Sequence, residues 1–157
     1  MNAEPEPLAA LARLVRGQRI AALGTLRNGA PNVSLVSYLA APDCSAFWMR
    51  LSRLAWHTQD LLQDPRASLA IAEPDDGRAD PQTLMRVTIR GEVSLFKEKS
   101  SALKDDWLKK FPESKVTFEL ADFSFWRVVP RDARFVAGLG RTHNLSAADL
   151  RAATCRP

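Results

Sequence analysis

What this chain has little of narrows its reading at once. Cysteine occurs twice, as Cys44 and Cys155, far apart and without a Cys-x-x-Cys partner, and histidine occurs twice, as His57 and His143. Zinc sites want such residues clustered at short spacing, so no metal site is expected, and the sparse cysteine fits a reducing cytoplasm. No apolar run approaches the ~18 residues that a membrane-spanning helix requires. The opening MNAEPEP is acidic and proline-rich, without the basic start and apolar centre of a secretory leader. There is no run of Lys or Arg and no basic stripe interleaved with aromatics, which removes nucleic acid and membrane surfaces as expected partners. No serine or cysteine has a histidine at a spacing that suggests a nucleophile with its base. Gly138 and Gly140 lack the third glycine and the βαβ surroundings of a dinucleotide fingerprint. If the protein is an enzyme, a bound cofactor carries the chemistry.

What is present is ordinary globular composition. The 157 residues are 46% apolar and 25% charged, enough for a proper core in one domain spanning 1–157. The net charge of +4 is mildly basic and suits a small anionic ligand. Leu8 to Val15 has helical periodicity and is closed by Gly17, giving an N-terminal helix within 1–17. Strand-like runs follow from Arg19 to Leu26 and from Ala30 to Leu39, joined at Asn28-Gly29, a strong hairpin signal. Ala46 to Leu51 and Ser68 to Ala72 are further strands, with a short helix between them that Asp64-Pro65 ends. Leu84 to Leu95 alternates cleanly, with Met85, Val87, Ile89 and Val93 on one face and Arg86, Thr88, Arg90 and Glu92 on the other. Lys97 to Lys110 reads as a surface helix, with Asp105-Asp106 and Lys109-Lys110 on its solvated face. Phe118 to Val129 and Arg134 to Ala137 are the last strand material. Residues 138–157 form a Gly-rich loop and a short helix started by Ser146, with Asp149 three residues on. Hairpin-connected strands outnumbering helices point to a mainly β fold, a six-stranded antiparallel Greek-key barrel over 18–137 with flanking helices.

The most informative stretch is Trp48 to Pro74, WMRLSRLAWHTQDLLQDPRASLAIAEP. It reads as strand, polar turn, helix and strand. Ser52 is placed to cap the helix, and Leu54, Leu61 and Leu62 supply an apolar face. At ~3.6 residues per turn His57 and Thr58 fall between these leucines, on the side expected to face inward. Taken alone, they fit either of two roles. One is a hydrogen-bonded core histidine with a threonine packed by its methyl group. The other is an anion site near a helix start, where free N–H groups favour phosphate.

Four segments carry a family resemblance: PNVSLVSYLA (Pro31 to Ala40), LSRLAWHTQDLLQDPRASLAIAEP (Leu51 to Pro74), DPQTLMRVTIRGEV (Asp80 to Val93) and ARFVAGLGRTHNLSAADL (Ala133 to Leu150). In this order they resemble the flavin-binding split-barrel superfamily of pyridoxamine 5′-phosphate oxidase, and more closely its haem-utilisation branch. The resemblance implies a homodimeric split barrel with FMN at the dimer interface. It assigns Ser34, Leu35, Val36 and Ser37 to the flavin ring edge, Arg50, Leu51 and Ser52 to the strand-to-helix turn, and His57 and Thr58 to the phosphate. Arg86 falls at a polar side chain that touches the flavin. The sequence departs where the oxidases keep an adjacent Arg-Lys pair, here Trp56-His57, and it lacks the basic residue opening their second-strand motif. Arg50, Arg53 and Arg86 are the cations left to compensate.

Three functions follow as expectations. The first is an FMN-binding flavoprotein with oxidoreductase capacity. The second is a haem-binding or haem-degrading protein, for which His57 and His143 are the candidate iron ligands. There Arg141 and His143 would form either a lid or a solvated tail. The sequence stops at Pro157, short of the ligand-bearing C-terminal portion of the haem-degrading relatives, which places flavin first. The third is a cofactor-free binding module. All three imply self-association, because an open cleft leaves apolar surface to be covered.

Overall fold

Asn28 and Gly29 both adopt positive φ, 53° and 81°, the left-handed pair that a type I′ turn requires. Strand β1 (Ile20–Arg27) therefore folds directly back as β2 (Ala30–Ser37), with Leu23 opposite Ser34. The computed structural model describes residues 5–154, so the acidic start up to Glu4 and Cys155 lie outside it. Helix α1 (Pro5–Gly17) precedes the hairpin. After it come β3 (Leu39–Ala40), β4 (Phe47–Ser52), α2 (Trp56–Gln63), β5 (Arg66–Ala72) and β6 (Arg86–Leu95). The chain continues as α3 (Ser101–Lys110), a 3₁₀ segment (Pro112–Phe118), β7 (Phe123–Val136), β8 (Thr142–Ser146) and α4 (Ala147–Thr154).

The strands make one antiparallel sheet in the order β2-β1-β5-β6-β7-β4-β3, with β8 added to β7. Strand β7 organises it. One edge pairs with β6 along its length, while the other takes β4 in its first half and β8 in its second. The sheet curls into a half-barrel, and β2 and β4 approach each other without pairing. That unpaired seam is where the barrel is split.

The sheet has eight strands among the described residues rather than the six expected. Leu39–Ala40 forms a separate short strand against β4, and β8 arises in the segment read as a Gly-rich loop. The runs expected from Phe118 and from Arg134 instead join as one 14-residue strand that begins at Phe123. Pro130 does not interrupt it because it sits at a β-bulge. Gly91 faces Pro130 while Arg90 faces Asp132, so Arg131 is the extra residue. Here the backbones crowd: a Cβ on Gly91 would lie 2.2 Å from the Val129 carbonyl oxygen, a gap only glycine tolerates.

Alternation fills the interior. Phe47, Met49 and Leu51 from β4 meet Leu69 and Ile71 from β5, Val87 and Ile89 from β6, and Val128 and Phe135 from β7. Leu11 and Val15 of α1 and Leu150 of α4 close one end. Arg16 ties these helices together by donating to the Thr154 carbonyl at 2.7 Å. The capping box expected at Ser146 is formed, with Ser146 N–H donating to Asp149 at 2.9 Å and Asp149 N–H donating to Ser146 Oγ at 3.1 Å. Helix α3 is less solvated than its charges suggested. Trp107 is buried, and the Lys110 stem folds back so that its ammonium lies 4.4 Å from the Tyr38 ring centroid.

Candidate functional site

The split between β2 and β4 opens into a cleft of about 360 Å³. Strand β2 contributes Leu35, Val36 and Ser37, and β4 contributes Arg50, Leu51 and Ser52. Helix α2 supplies His57, and Trp107, Ser114, Thr117 and Phe123 complete the walls. The volume lies in the range of small-molecule pockets, and the lining has the expected character, apolar walls with a few polar groups.

Arg50 is the cation of this cleft. It alternates away from the core residues Met49 and Leu51, and its guanidinium lies 3.9 Å from the Phe118 ring centroid and 4.9 Å from that of Phe125. It donates to the Thr117 carbonyl at 2.8 Å, yet among the described residues no carboxylate pairs with it and its buried Nε–H has no acceptor. Burial holds its pKa below the ordinary arginine value. A half-buried guanidinium short of acceptors is an incomplete arrangement that a carboxylate or phosphate completes.

His57 is half-buried. Desolvation pushes its pKa below the ordinary 6.5, and the charge of Asp60 opposes only part of that, so the ring is neutral at pH 7. Ser52 is engaged otherwise than expected. Helix α2 begins at Trp56 with Ala55 as its N-cap and no side-chain cap bond. Ser52 Oγ instead accepts from Leu54 N–H at 3.1 Å and donates to the Asp122 carboxylate at 2.6 Å. An anion approaching Ser52 therefore meets the charge of Asp122.

Residues 8–137 match the family described as pyridoxamine 5′-phosphate oxidase. The chain belongs to that family. It is 36% identical over 114 residues to the non-canonical heme oxygenase HOZ, chloroplastic, of Arabidopsis thaliana, across 71% of this chain and 33% of that protein. The chain thus spans a third of the plant protein's length. Heme oxygenase HutZ of Vibrio cholerae is 24% identical over 131 residues, 78% of this chain and 71% of that protein. The solved heme binding protein from Mycobacterium smegmatis superposes with a TM-score of 0.80 at 26% identity, covering 97% of this chain and 62% of that one.

Of the positions that the pyridoxamine 5′-phosphate oxidase resemblance singles out, the cleft gathers Leu35, Val36, Ser37, Arg50, Leu51, Ser52 and His57. The others fall elsewhere in the protomer. Ser34 shares the inward face of β2 with Asn32 and Val36, beneath α2. Thr58 lies one residue round the helix from His57, fully buried, and its hydroxyl has no partner among the described residues. Arg86 turns back on its own strand start, donating to the Gln82 and Leu84 carbonyls at 2.8 and 3.0 Å. Arg141 is exposed in the turn before β8, and His143 stacks on Phe135 at 6.1 Å, beside the second half of β7. Neither is among the residues that line the cleft, which reaches β7 only at its first residue, Phe123.

The expected apolar face of α2 is also corrected. Leu54 and Leu62 are exposed, and the helix buries Thr58, Asp60 and Leu61 instead. Asp60 receives Thr25 Oγ1 at 2.8 Å, Asn32 Nδ2 at 2.9 Å and Arg27 Nη1 at 2.7 Å. Burial acts to raise its pKa, and these donors more than reverse it, holding the carboxyl below its ordinary value. Arg27 stacks on Trp56 at 4.1 Å. This clamp fixes α2 to the β1–β2 hairpin and sets where His57 projects. A lone aspartate in a polar stretch, with partners from another hairpin, carries no local signal.

Proposed function

We propose that this chain is a haem-binding member of the pyridoxamine 5′-phosphate oxidase family, with the β2–β4 cleft as its haem site. The observation that carries this reading is the donor set. A neutral, half-buried imidazole at His57 and one uncompensated guanidinium at Arg50 face the same apolar-walled cleft. A neutral imidazole suits haem iron, and a guanidinium suits a propionate. His57 would hold the metal, Arg50 would orient a carboxylate edge, and Leu35, Leu51, Trp107 and Phe123 would exclude water from the ring. Bound haem would supply the redox and oxygen chemistry that the chain's own residues lack. The haem-related names of the plant, Vibrio and mycobacterial relatives support the same direction.

One observation favours a second reading, an FMN-binding flavoprotein. The cleft residues are the ones that the family resemblance assigns to the flavin. A phosphate dianion there would have one guanidinium, a neutral imidazole and, at Ser52, the opposing charge of Asp122. That is a weaker clamp than two permanent cations, so flavin ranks second.

Absorption titrations of the purified protein with haem and, separately, with FMN test both readings. A Soret shift lost in His57→Ala and retained in His143→Ala supports haem at this cleft. A spectrum altered only by His143→Ala removes the cleft as the haem site. A flavin spectrum that appears with FMN alone gives the second reading precedence, and binding of neither points to a cofactor-free module. The site is proposed to be completed by a second copy. Leu35 in the cleft wall, and Leu54 and Trp56 next to its lining residues Ala55 and His57, are 73%, 73% and 63% exposed, apolar surface of the kind that an interface covers. Light scattering at micromolar concentration checks this, and a dimer mass is expected.

A further inference from the structure

The turn that joins β4 to α2 has its hydrogen-bond donors committed inside the protein. Ser52 Oγ gives its one proton to the Asp122 carboxylate at 2.6 Å and accepts from Leu54 N–H at 3.1 Å. Arg53 N–H donates to the Asp122 carbonyl at 2.7 Å, and Ala55 N–H to the Ser52 carbonyl at 3.1 Å. The other hydroxyls of the cleft lining are spent in the same way. Ser114 Oγ donates to the Phe111 carbonyl and Thr117 Oγ1 to the Ser114 carbonyl, each at 2.7 Å. Among the described residues Ser37 is the one lining hydroxyl without a partner.

Asp122 stands in the turn before β7, where Phe123 N–H donates to the Leu120 carbonyl at 3.4 Å. Its backbone already ties that turn to β4, through Arg53 N–H and the pairing of Ser52 with Phe123. A neutral side-chain acceptor would hold Ser52 as well, so the joint does not need the charge. Among the described residues no cation pairs with Asp122, whereas Asp60, Asp64, Asp76 and Asp132 each contact an arginine. The cleft thus has a cation without a carboxylate at Arg50 and, behind Ser52, a carboxylate without a cation. Arg50 and Ser52 share one face of β4, about 7 Å apart along the strand. We propose that Asp122 is a specificity-determining residue, which turns phosphorylated ligands away and leaves the cleft to apolar molecules that present carboxylates to Arg50. The inference rests on the β2–β4 cleft being the ligand site. A phosphate dianion calls for several donors, and at Ser52 it meets an opposing charge with few protons to offset it. A hydrocarbon edge against Ser52 meets no such repulsion.

FMN and riboflavin test this directly, because they differ only in the phosphate. In fluorescence titrations of the full chain, wild type is expected to bind FMN no more tightly than riboflavin. Asp122→Asn keeps an acceptor for Ser52 and removes only the charge. It is expected to tighten FMN about tenfold and to leave riboflavin within about twofold, with the thermal midpoint near wild type. The gain should shrink in about 0.5 M salt, which screens the charge. Glu119→Gln makes the same change in net charge at an exposed residue three positions earlier, and should leave FMN within about twofold of wild type. Haem titrations run beside these keep the two readings apart. No Soret shift in either protein sinks the haem reading alone, since the FMN–riboflavin comparison decides Asp122 without it. The proposal is overturned if wild type prefers FMN to riboflavin, if Asp122→Asn moves both flavins together or neither, or if Glu119→Gln matches it.

Discussion

Helix α2 stands between two charges that the fold treats in opposite ways. On its buried side, Asp60 is saturated by Thr25, Asn32 and Arg27, every donor within 2.9 Å. On the cleft side, Arg50 has a carbonyl and two aromatic rings but, among the described residues, no carboxylate and no acceptor for its Nε–H. Both groups are removed from water, which is costly for any charge. The difference teaches where this chain keeps a charge for itself and where it leaves one for something else. Asp60 holds the hairpin, whereas Arg50 is the charge that the proposed ligand would complete.

Breaking the saturated side should have the largest effect. Asp60→Ala leaves Thr25 and Asn32 without their acceptor and is expected to lower stability by about 3 kcal/mol in urea unfolding, tempered because Arg27 can regain water. Its pH signature has a definite sign. The folded carboxyl sits below its ordinary value, so its contribution is full above about pH 4 and fades as the pH falls further. Asp60→Asn should flatten that acid limb.

Removing Arg50 should do the reverse, with little change in stability and a loss of about 10- to 100-fold in affinity for the proposed haem. Arg50→Lys should recover only part of this, because an ammonium lacks the planar fork. If Arg50→Ala instead unfolds the protein, the comparison fails. A finer effect is expected at His57, whose midpoint by NMR should lie below 6.5. Asp60→Asn should lower it further, since Asp60 is the charge that favours the imidazolium. The smallest effect is Trp56→Ala, about 0.5–1 kcal/mol from the lost stacking of Arg27.

Local signals made the hairpin at Asn28-Gly29, the alternating β6 and the Ser146–Asp149 cap legible in the sequence, since each depends on residues close along the chain. Family resemblance drew Leu35 to Ser37, Arg50 to Ser52 and His57 toward one site, and the curl of the sheet gathers them there. Of the leucines only Leu61 marks the inner face of α2, since Leu54 and Leu62 are exposed. Asp60 occupies that face by virtue of donors 28 to 35 residues away. Arg86 follows from matching position and His143 from the scarcity of histidine, and the contacts their side chains make, with the Gln82 and Leu84 carbonyls and with the Phe135 ring, are ones that no spacing reveals. The isolation of Arg50 is likewise a property of the assembled cleft.

Strand β7 carries a consequence for how the barrel comes into being. Phe47 to Ser52 has only the two-residue β3 on one edge and finds its full-length partner in Phe123 to Val128, and β8 leans on the same strand. During synthesis, β4 and the short β3 beside it must wait through α2, β5, β6 and α3 for that edge to arrive. Closing so long a loop before any reward makes assembly slow and concerted. The first half of the chain is a fold in waiting, and one late strand makes the seam into which a ligand can settle.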